Sequence, residues 1–256
     1  MSTISYSNDI ILNSNFDDVT FAVYVCLRIM YNSNINFNFI SSDIMSTILC
    51  GSPHMNKRTR KTYNDGIEKF ICSKYITKFE RCPNIIIVNT SNIDSIQNFY
   101  VKDEYTNVIK IMNNSPQKIR FSLLRFWMKL LTTIYAQTKA GCTTIENISN
   151  KLGYSPRTVI RYFKILEDLQ ILYVSRSNIF YADTDNNNMK RVSNAYGRYC
   201  DKTEIDNFAS NHNNAITSNK SRLSEKSDLR RSYARKYSFW INGKKEYSGS
   251  ELKNQE

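Results

Sequence analysis

Histidine is nearly missing from this chain: two residues, His54 and His212, among 256. A Ser–His or Cys–His mechanism would have to use one of them, and neither sits in a recognisable catalytic setting. The six cysteines, at 26, 50, 72, 82, 142 and 200, form no C-x-x-C pair. Cys50 and His54 are four residues apart, too few ligands for zinc, so the thiols are expected to be reduced and mostly buried. The phosphate-cradling G-x-x-x-x-G-K-[ST], the dinucleotide G-x-G-x-x-G and the zinc-protease H-E-x-x-H are all missing. Paired carboxylates or a tyrosine nucleophile leave no spacing signature, but metal-dependent DNA nicking generally calls on a histidine cluster. These absences predict a protein that is not an enzyme and needs no cofactor or metal. No apolar run approaches the ~20 residues of a membrane span, and the start lacks a basic-then-apolar leader. The expectation is a soluble, cytoplasmic protein with no membrane partner. Seven glycines and four prolines, against many Asn, Ile, Lys and Tyr, point to an AT-rich genome and say little about role.

What is abundant is positive charge, and it is unevenly placed. The net charge is +12. Residues 1–114 carry 11 basic and 10 acidic groups, whereas residues 115–182 carry 10 and 3, and residues 186–256 carry 14 and 8. An excess that begins near residue 115 favours a polyanion through long-range attraction and counterion release. Charge alone does not separate nucleic acid from an anionic membrane surface.

The hydrophobic pattern predicts helices over 18–31, where Val19, Val23, Cys26, Leu27 and Met30 recur at helical spacing, and over 41–50, where Ser and Asp supply a cap. Gly51-Ser52-Pro53 ends the latter. A longer helix follows in "NKRTRKTYNDGIEKFICSKYI", despite Gly66 at a cost of about 1 kcal/mol. "TKFERCPNIIIVN" reads as two strands around a turn at Cys82-Pro83-Asn84. The order then repeats. Residues 117–136 form a strong helix and 144–152 a short one capped by Thr143 or Thr144. Gly153-Tyr154 makes the turn, and Ser155 caps a third helix with Pro156 at its first position, where the missing N–H costs nothing. "ILYVSRSNIFYA" follows as strand, turn, strand. A shift of 96 residues superposes Tyr63, Ile67 and Phe70 on Val159, Phe163 and Leu166.

The predicted fold class is therefore mainly α with small β-hairpins: a tandem winged helix-turn-helix plus a mobile or partly helical basic C-terminal segment. The expected layout is a winged-helix-like domain over 1–100, a connector over 101–116, a second domain over 117–185, and a basic, aromatic-containing segment over 186–256. In that segment "DTDNNNMK" reads as linker or loop, and a short helix is expected from about Glu204.

The helix from Pro156 to residue 169 divides into two faces. Val159, Tyr162, Phe163, Leu166 and Leu169 form an apolar stripe. Arg157, Thr158, Ile160, Arg161 and Lys164 lie opposite, because 3.6 residues make a turn. A helix fits the DNA major groove, and in a helix-turn-helix its first turns reach base edges. Arg157 and Arg161 have the forked geometry for guanine, and Thr158 and Ile160 suit thymine methyls. Lys164, Ser155 and the Tyr154 hydroxyl suit phosphate. Arg176 falls in the expected hairpin turn, where a wing would touch the minor groove or backbone. An ordinary solvated helix face is the competing reading; cap, turn, spacing, wing and local charge together favour DNA.

The stretch "TTIENISNKLGYSPRTVIRYFKILEDLQILYVSR" resembles the winged helix-turn-helix domains of bacterial mobile elements, both transcription regulators and plasmid or phage replication proteins. The resemblance covers residues 117–182. It implies the fold, and a role as regulator or replication initiator binding double-stranded DNA. Gln170 departs from it, standing where such domains often end the helix with Gly. Ile165 departs too, being apolar where a charge is usual, which suits contact with another domain or subunit.

The first domain is a poorer reader: the 96-residue shift sets Asp65 against Arg161 and Glu68 against Lys164. Its cations, Lys57, Arg58, Arg60 and Lys61, cluster earlier and suit phosphate contact or a solvated helix start; dimerisation is the other use for such a domain. The tail interleaves Lys220, Arg222, Lys226, Arg230, Arg231, Arg235, Lys236, Lys244 and Lys245 with Tyr233, Tyr237, Phe239 and Trp240. That mixture suits stacking on unpaired bases, docking to replication or transcription machinery, or a plain solubilising tail. The alternative function is a non-enzymatic adaptor that recruits a helicase or inhibits a host factor through winged-helix platforms.

Overall fold

The computed structural model describes residues 3–31, 37–52, 55–73, 75–82, 85–90, 100–177, 179–183, 188–191, 193–212, 237–241 and 244–247. His54, the turn residues 83–84 and the basic patch from Lys220 to Lys236 lie outside the described residues. The chain is mixed helix and strand with small sheets, and it divides into two compact units. The first holds residues 1–133 and 161–169, and the second residues 134–160 and 170–256.

The first unit contains β1 (Thr3–Ser7), α1 (Asn8–Leu12), α2 (Asp18–Met30), β2 (Phe37–Ile40), α3 (Ser42–Cys50), α4 (Lys57–Cys72), β3 (Thr77–Cys82), β4 (Ile85–Asn89), β5 (Tyr100–Glu104), α5 (Tyr105–Asn114) and α6 (Arg120–Leu131). Its centre is α2. Eight consecutive residues, Thr20 to Leu27, are buried, as expected of a helix that is apolar on every side. Helices α3, α4 and α6 and strand β1 pack around it. Gly66 permits the approach of α4: a Cβ there would lie 2.9 Å from Val19 Cγ1. The propensity cost of a mid-helix glycine is thus exchanged for close helix packing. Phe16, Tyr24, Phe70 and Tyr75 form an aromatic cluster at the end of α4, with ring centroids 5.5–6.1 Å apart.

Two buried polar anchors tie α6 into this core. Arg125 donates to the carbonyls of Phe16 and Asn13 and lies 3.5 Å from Asp18. Asp103, itself buried, accepts hydrogen bonds from Trp127 Nε1 and Asn107 Nδ2, both at 2.8 Å. Buried charge is tolerated only when hydrogen-bonded in this way. Residues 101–116, expected as a connector, instead complete β5, which pairs antiparallel with β1, and form α5, which buries Val108, Ile111 and Met112. The strands β2, β4 and β3 form an antiparallel sheet in that order.

The second unit contains β6 (Gly141–Cys142), α7 (Ile145–Leu152), the start of α8 (Pro156–Asp168), β7 (Leu172–Ser175), β8 (Ile179–Asp183), β9 (Asn188–Arg191), β10 (Ala195–Arg198), a 3₁₀ turn (Tyr199–Asp201), a helix α9 over 202–212, β11 (Tyr237–Ile241) and β12 (Lys244–Tyr247). One sheet has the order β6-β10-β7 and the other β12-β11-β8-β9. Helix α9 is fastened to its surroundings at three points. Ile205 packs with Ala140 and Ala195, Tyr173 donates its hydroxyl proton to Asp206 at 2.9 Å, and Lys139 pairs with Asp201 at 3.1 Å and Glu204 at 2.7 Å.

The hairpin expected across "SRSN" does not form. Strand β7 pairs with β10, and β8 pairs with β9 and β11. The register runs Ala195↔Ser175 in one ladder and Phe180↔Arg191 in the next. The two ladders belong to different sheets. Ser177, buried, donates its backbone N–H to Asn194 Oδ1 at 3.1 Å, just before β10. "DTDNNNMK", expected as linker, supplies the end of β8 and the start of β9. Parts of the tail likewise form strands, where only disorder or helix was expected.

Read along the chain, one order occurs twice: helix, strand, helix, helix, strand, strand, with the sheet strands ordered first, third, second. Its first instance is α2-β2-α3-α4-β3-β4 with sheet β2-β4-β3; its second is α6-β6-α7-α8-β7-β10 with sheet β6-β10-β7, with β8 and β9 of the other sheet inserted between β7 and β10.

Candidate nucleic-acid interface

Local chemistry builds the turn that leads into α8. The Thr144 hydroxyl caps α7 by accepting from Asn147 N at 3.2 Å. Gly153 ends α7 in the left-handed region, φ +76°, with its N–H on the Ser149 carbonyl. Tyr154 N–H reaches the same carbonyl at 3.2 Å, and Ser149 Oγ donates back to the Tyr154 carbonyl. Ser155 Oγ then accepts from Thr158 N at 3.2 Å and lies 2.9 Å from Thr158 Oγ1. Cap, left-handed glycine and cap in succession fix where the chain turns and where α8 starts.

Along α8 the apolar stripe is buried: Val159 and Leu166 fully, Tyr162 and Phe163 nearly so. Within the first unit the Phe126 ring lies 5.3 Å from that of Tyr162 and 6.1 Å from that of Phe163. Leu169 is half-buried. Arg157, Ile160, Arg161 and Lys164 are exposed, Ile160 at 58%. The Arg161 guanidinium rests 5.2 Å from the centroid of the Tyr162 ring, which supports the stem of the side chain. Among the described residues no acidic side chain pairs with Arg157, Arg161 or Lys164. Ser155 and Thr158 are engaged with each other at the cap, Thr158 half-buried. Tyr154 is half-buried at the turn, and Arg176 is exposed just beyond β7 rather than at a hairpin tip. Ile165, expected at an edge, is half-buried.

In the first unit Asn56 caps α4, accepting from Thr59 N at 2.8 Å, and Gly51 ends α3 with φ +69°. Lys57, Arg58, Arg60 and Lys61 are all exposed on the first turns of α4. Arg60 differs from the rest in holding Asp43 of α3 at 2.9 Å. Lys69, farther along, pairs with Asp17, the cap of α2. Burial works to raise the Asp17 carboxyl, but hydrogen bonds from Lys69 and Thr20 outweigh it and hold the group below the ordinary carboxylate range.

Sequence reasoning missed Lys190 and Arg191 as members of a strand. Their signal was a Lys-Arg pair beside an asparagine run, and the run was read as loop composition. Among the described residues no cluster of His, Cys, Asp and Glu is arranged to hold a metal ion, and no helix is long and apolar enough to cross a membrane. No protein-family model matches the chain, and no curated protein matches it significantly.

Proposed function

We propose that the chain is a sequence-specific double-stranded DNA-binding protein built from tandem winged helix-turn-helix modules, acting as a transcription regulator or as a plasmid or phage replication initiator. The observation that carries this reading is the face of α8. Arg157, Arg161 and Lys164 are exposed and, among the described residues, unopposed by acids, on a helix whose other side is buried and whose start is fixed by a capped turn. The twofold occurrence of one element and strand order supports the tandem arrangement. A second, non-identical module suits the extended sites of replication origins. Arg157 and Arg161 read base edges, each worth about 1–3 kcal/mol of discrimination when bidentate on guanine. Lys164 and the α4 cations Lys57, Arg58 and Lys61 neutralise phosphates.

The test is binding of single variants to a selected duplex. Arg157→Ala and Arg161→Ala should each lose affinity and relax base preference at one position, while Lys164→Ala should weaken binding to all sequences and lower the salt slope by about one contact. Unchanged affinity and preference in both arginine variants would remove the assigned readers.

The exposed Ile160 favours a second reading, a protein-docking adaptor. A gel shift with random duplexes at about 150 mM salt separates the two, because only the DNA reader retards duplex at that ionic strength.

A further inference from the structure

The exposed face of α8 carries one side chain that charge does not explain. Ile160 is the fifth residue of the helix and is 58% exposed, three positions on from exposed Arg157. Both belong to the second unit. Residues three apart share a helix face, with Cβ atoms about 5–6 Å apart. That span is roughly one to two steps of a DNA strand, which rises about 3.4 Å per nucleotide. The two residues between them do not share this face. Val159 is fully buried. Thr158 is half-buried and committed to the cap: its backbone N–H donates to Ser155 Oγ at 3.2 Å, and its hydroxyl lies 2.9 Å from the same oxygen. Of the two side chains suited to a thymine methyl, only Ile160 is free to reach one. A single exposed aliphatic residue is ordinary on a protein surface. This one stands in the first turns of the helix, where a helix-turn-helix meets base edges.

We propose that Ile160 reads the C5-methyl group of a pyrimidine one or two base steps from the guanine read by Arg157, so that binding responds to cytosine methylation at that position. The inference rests on the duplex-binding reading of α8 and adds the chemical feature the DNA site must contain. In the major groove thymine presents O4 and its C5 methyl, whereas cytosine presents an N4 amino donor. Isoleucine has no polar side-chain atom with which to tell O4 from N4. Its discrimination comes from covering the methyl, and losing one such apolar contact costs roughly four-fold in affinity. 5-Methylcytosine carries the same methyl at the same ring position. A cytosine placed there is therefore a weak ligand when unmodified and a better one when methylated.

The test starts from a duplex site selected on the full chain. Each thymine of that site is replaced in turn by deoxyuridine, which removes the methyl and nothing else, and affinity is read by anisotropy of the labelled duplex. One replacement should weaken binding by roughly four-fold. Ile160→Ala removes the apolar side chain from an exposed position, and the higher helix propensity of alanine keeps α8 formed. This variant should bind the thymine and deoxyuridine duplexes equally. Arg157→Ala should keep the methyl preference while relaxing the preference for guanine. Cytosine at the sensitive position, with guanine opposite, should bind more weakly than thymine, and 5-methylcytosine should recover part of the loss in the parent but not in Ile160→Ala. A parent that selects no duplex site overturns both the reading of α8 and this inference. A parent that selects a site but binds deoxyuridine as tightly as thymine at every position overturns this inference alone. So does a deoxyuridine penalty that persists in Ile160→Ala, or a 5-methylcytosine duplex that binds no better than the cytosine one.

Discussion

Gln170 has φ +54°, in the left-handed region that glycine enters freely and a residue with a Cβ enters at a cost of about 1–2 kcal/mol. It stands just past α8, where the chain must turn back into β7. Gln170→Gly should relieve that cost, partly offset by the greater freedom of glycine in the unfolded chain, for a net gain of about 0.5 kcal/mol. A rise in the midpoint of chemical denaturation with unchanged slope would show it; a fall would mean that the Gln170 side chain contributes more than its backbone costs. The sequence marked Gln170 only as a departure from the winged helix-turn-helix resemblance, at a place where such domains often carry glycine. Other residue-scale features were beyond reach. Nothing local marks Arg125 as a buried donor to carbonyls more than 100 positions away in sequence, or Asp103 as the acceptor for Trp127, because burial of a charge is decided by where the chain folds back.

Helices were legible as elements because their signals are local. Ser41, Asn56, Thr144 and Ser155 each accept a backbone N–H three residues on, and their apolar periodicities survive into buried stripes. Strands β2 and β6 were not legible. Strand β6 is only Gly141–Cys142, and what makes it a strand is Tyr196 and Ala195, more than 50 residues later. Strand β9 was missed because asparagine-rich composition signals a loop, whereas it is a strand through its pairing with β8. Helix α5 could have been found: Val108, Ile111 and Met112 have helical spacing. At this scale the cap of α2 yields a pH prediction. Asp17 titrates below its unfolded value of 3.8, so its contribution to stability is full above that pH and is lost as pH falls through the lowered folded value. Asp17→Asn keeps a capping oxygen but removes the pairing with Lys69. The variant should therefore lose less stability than the parent between about pH 5 and pH 2, measured by urea denaturation at stepped pH. Equal losses would show that the Asp17–Lys69 pair contributes nothing.

Across the whole molecule, the proposed duplex binding rests on basic charge and repeated topology together. The excess of cations begins with the second helix-strand-helix-helix series, in the part that carries α8. In the first series the corresponding helix begins with cations but continues with Asp65 and Glu68, a composition suited to holding phosphates near its start rather than to reading a groove along its length. Duplex binding by the full chain should accordingly fall steeply with salt, and the second module should carry most of the base preference. The most direct measurement is enrichment of random duplexes on the full chain, run in parallel on the Arg157→Ala, Arg161→Ala double variant. The account predicts a defined site for the parent and, for the variant, binding without preference at the positions the two arginines read. A parent that enriches no site, or a variant that selects the same site with the same preference, would contradict it.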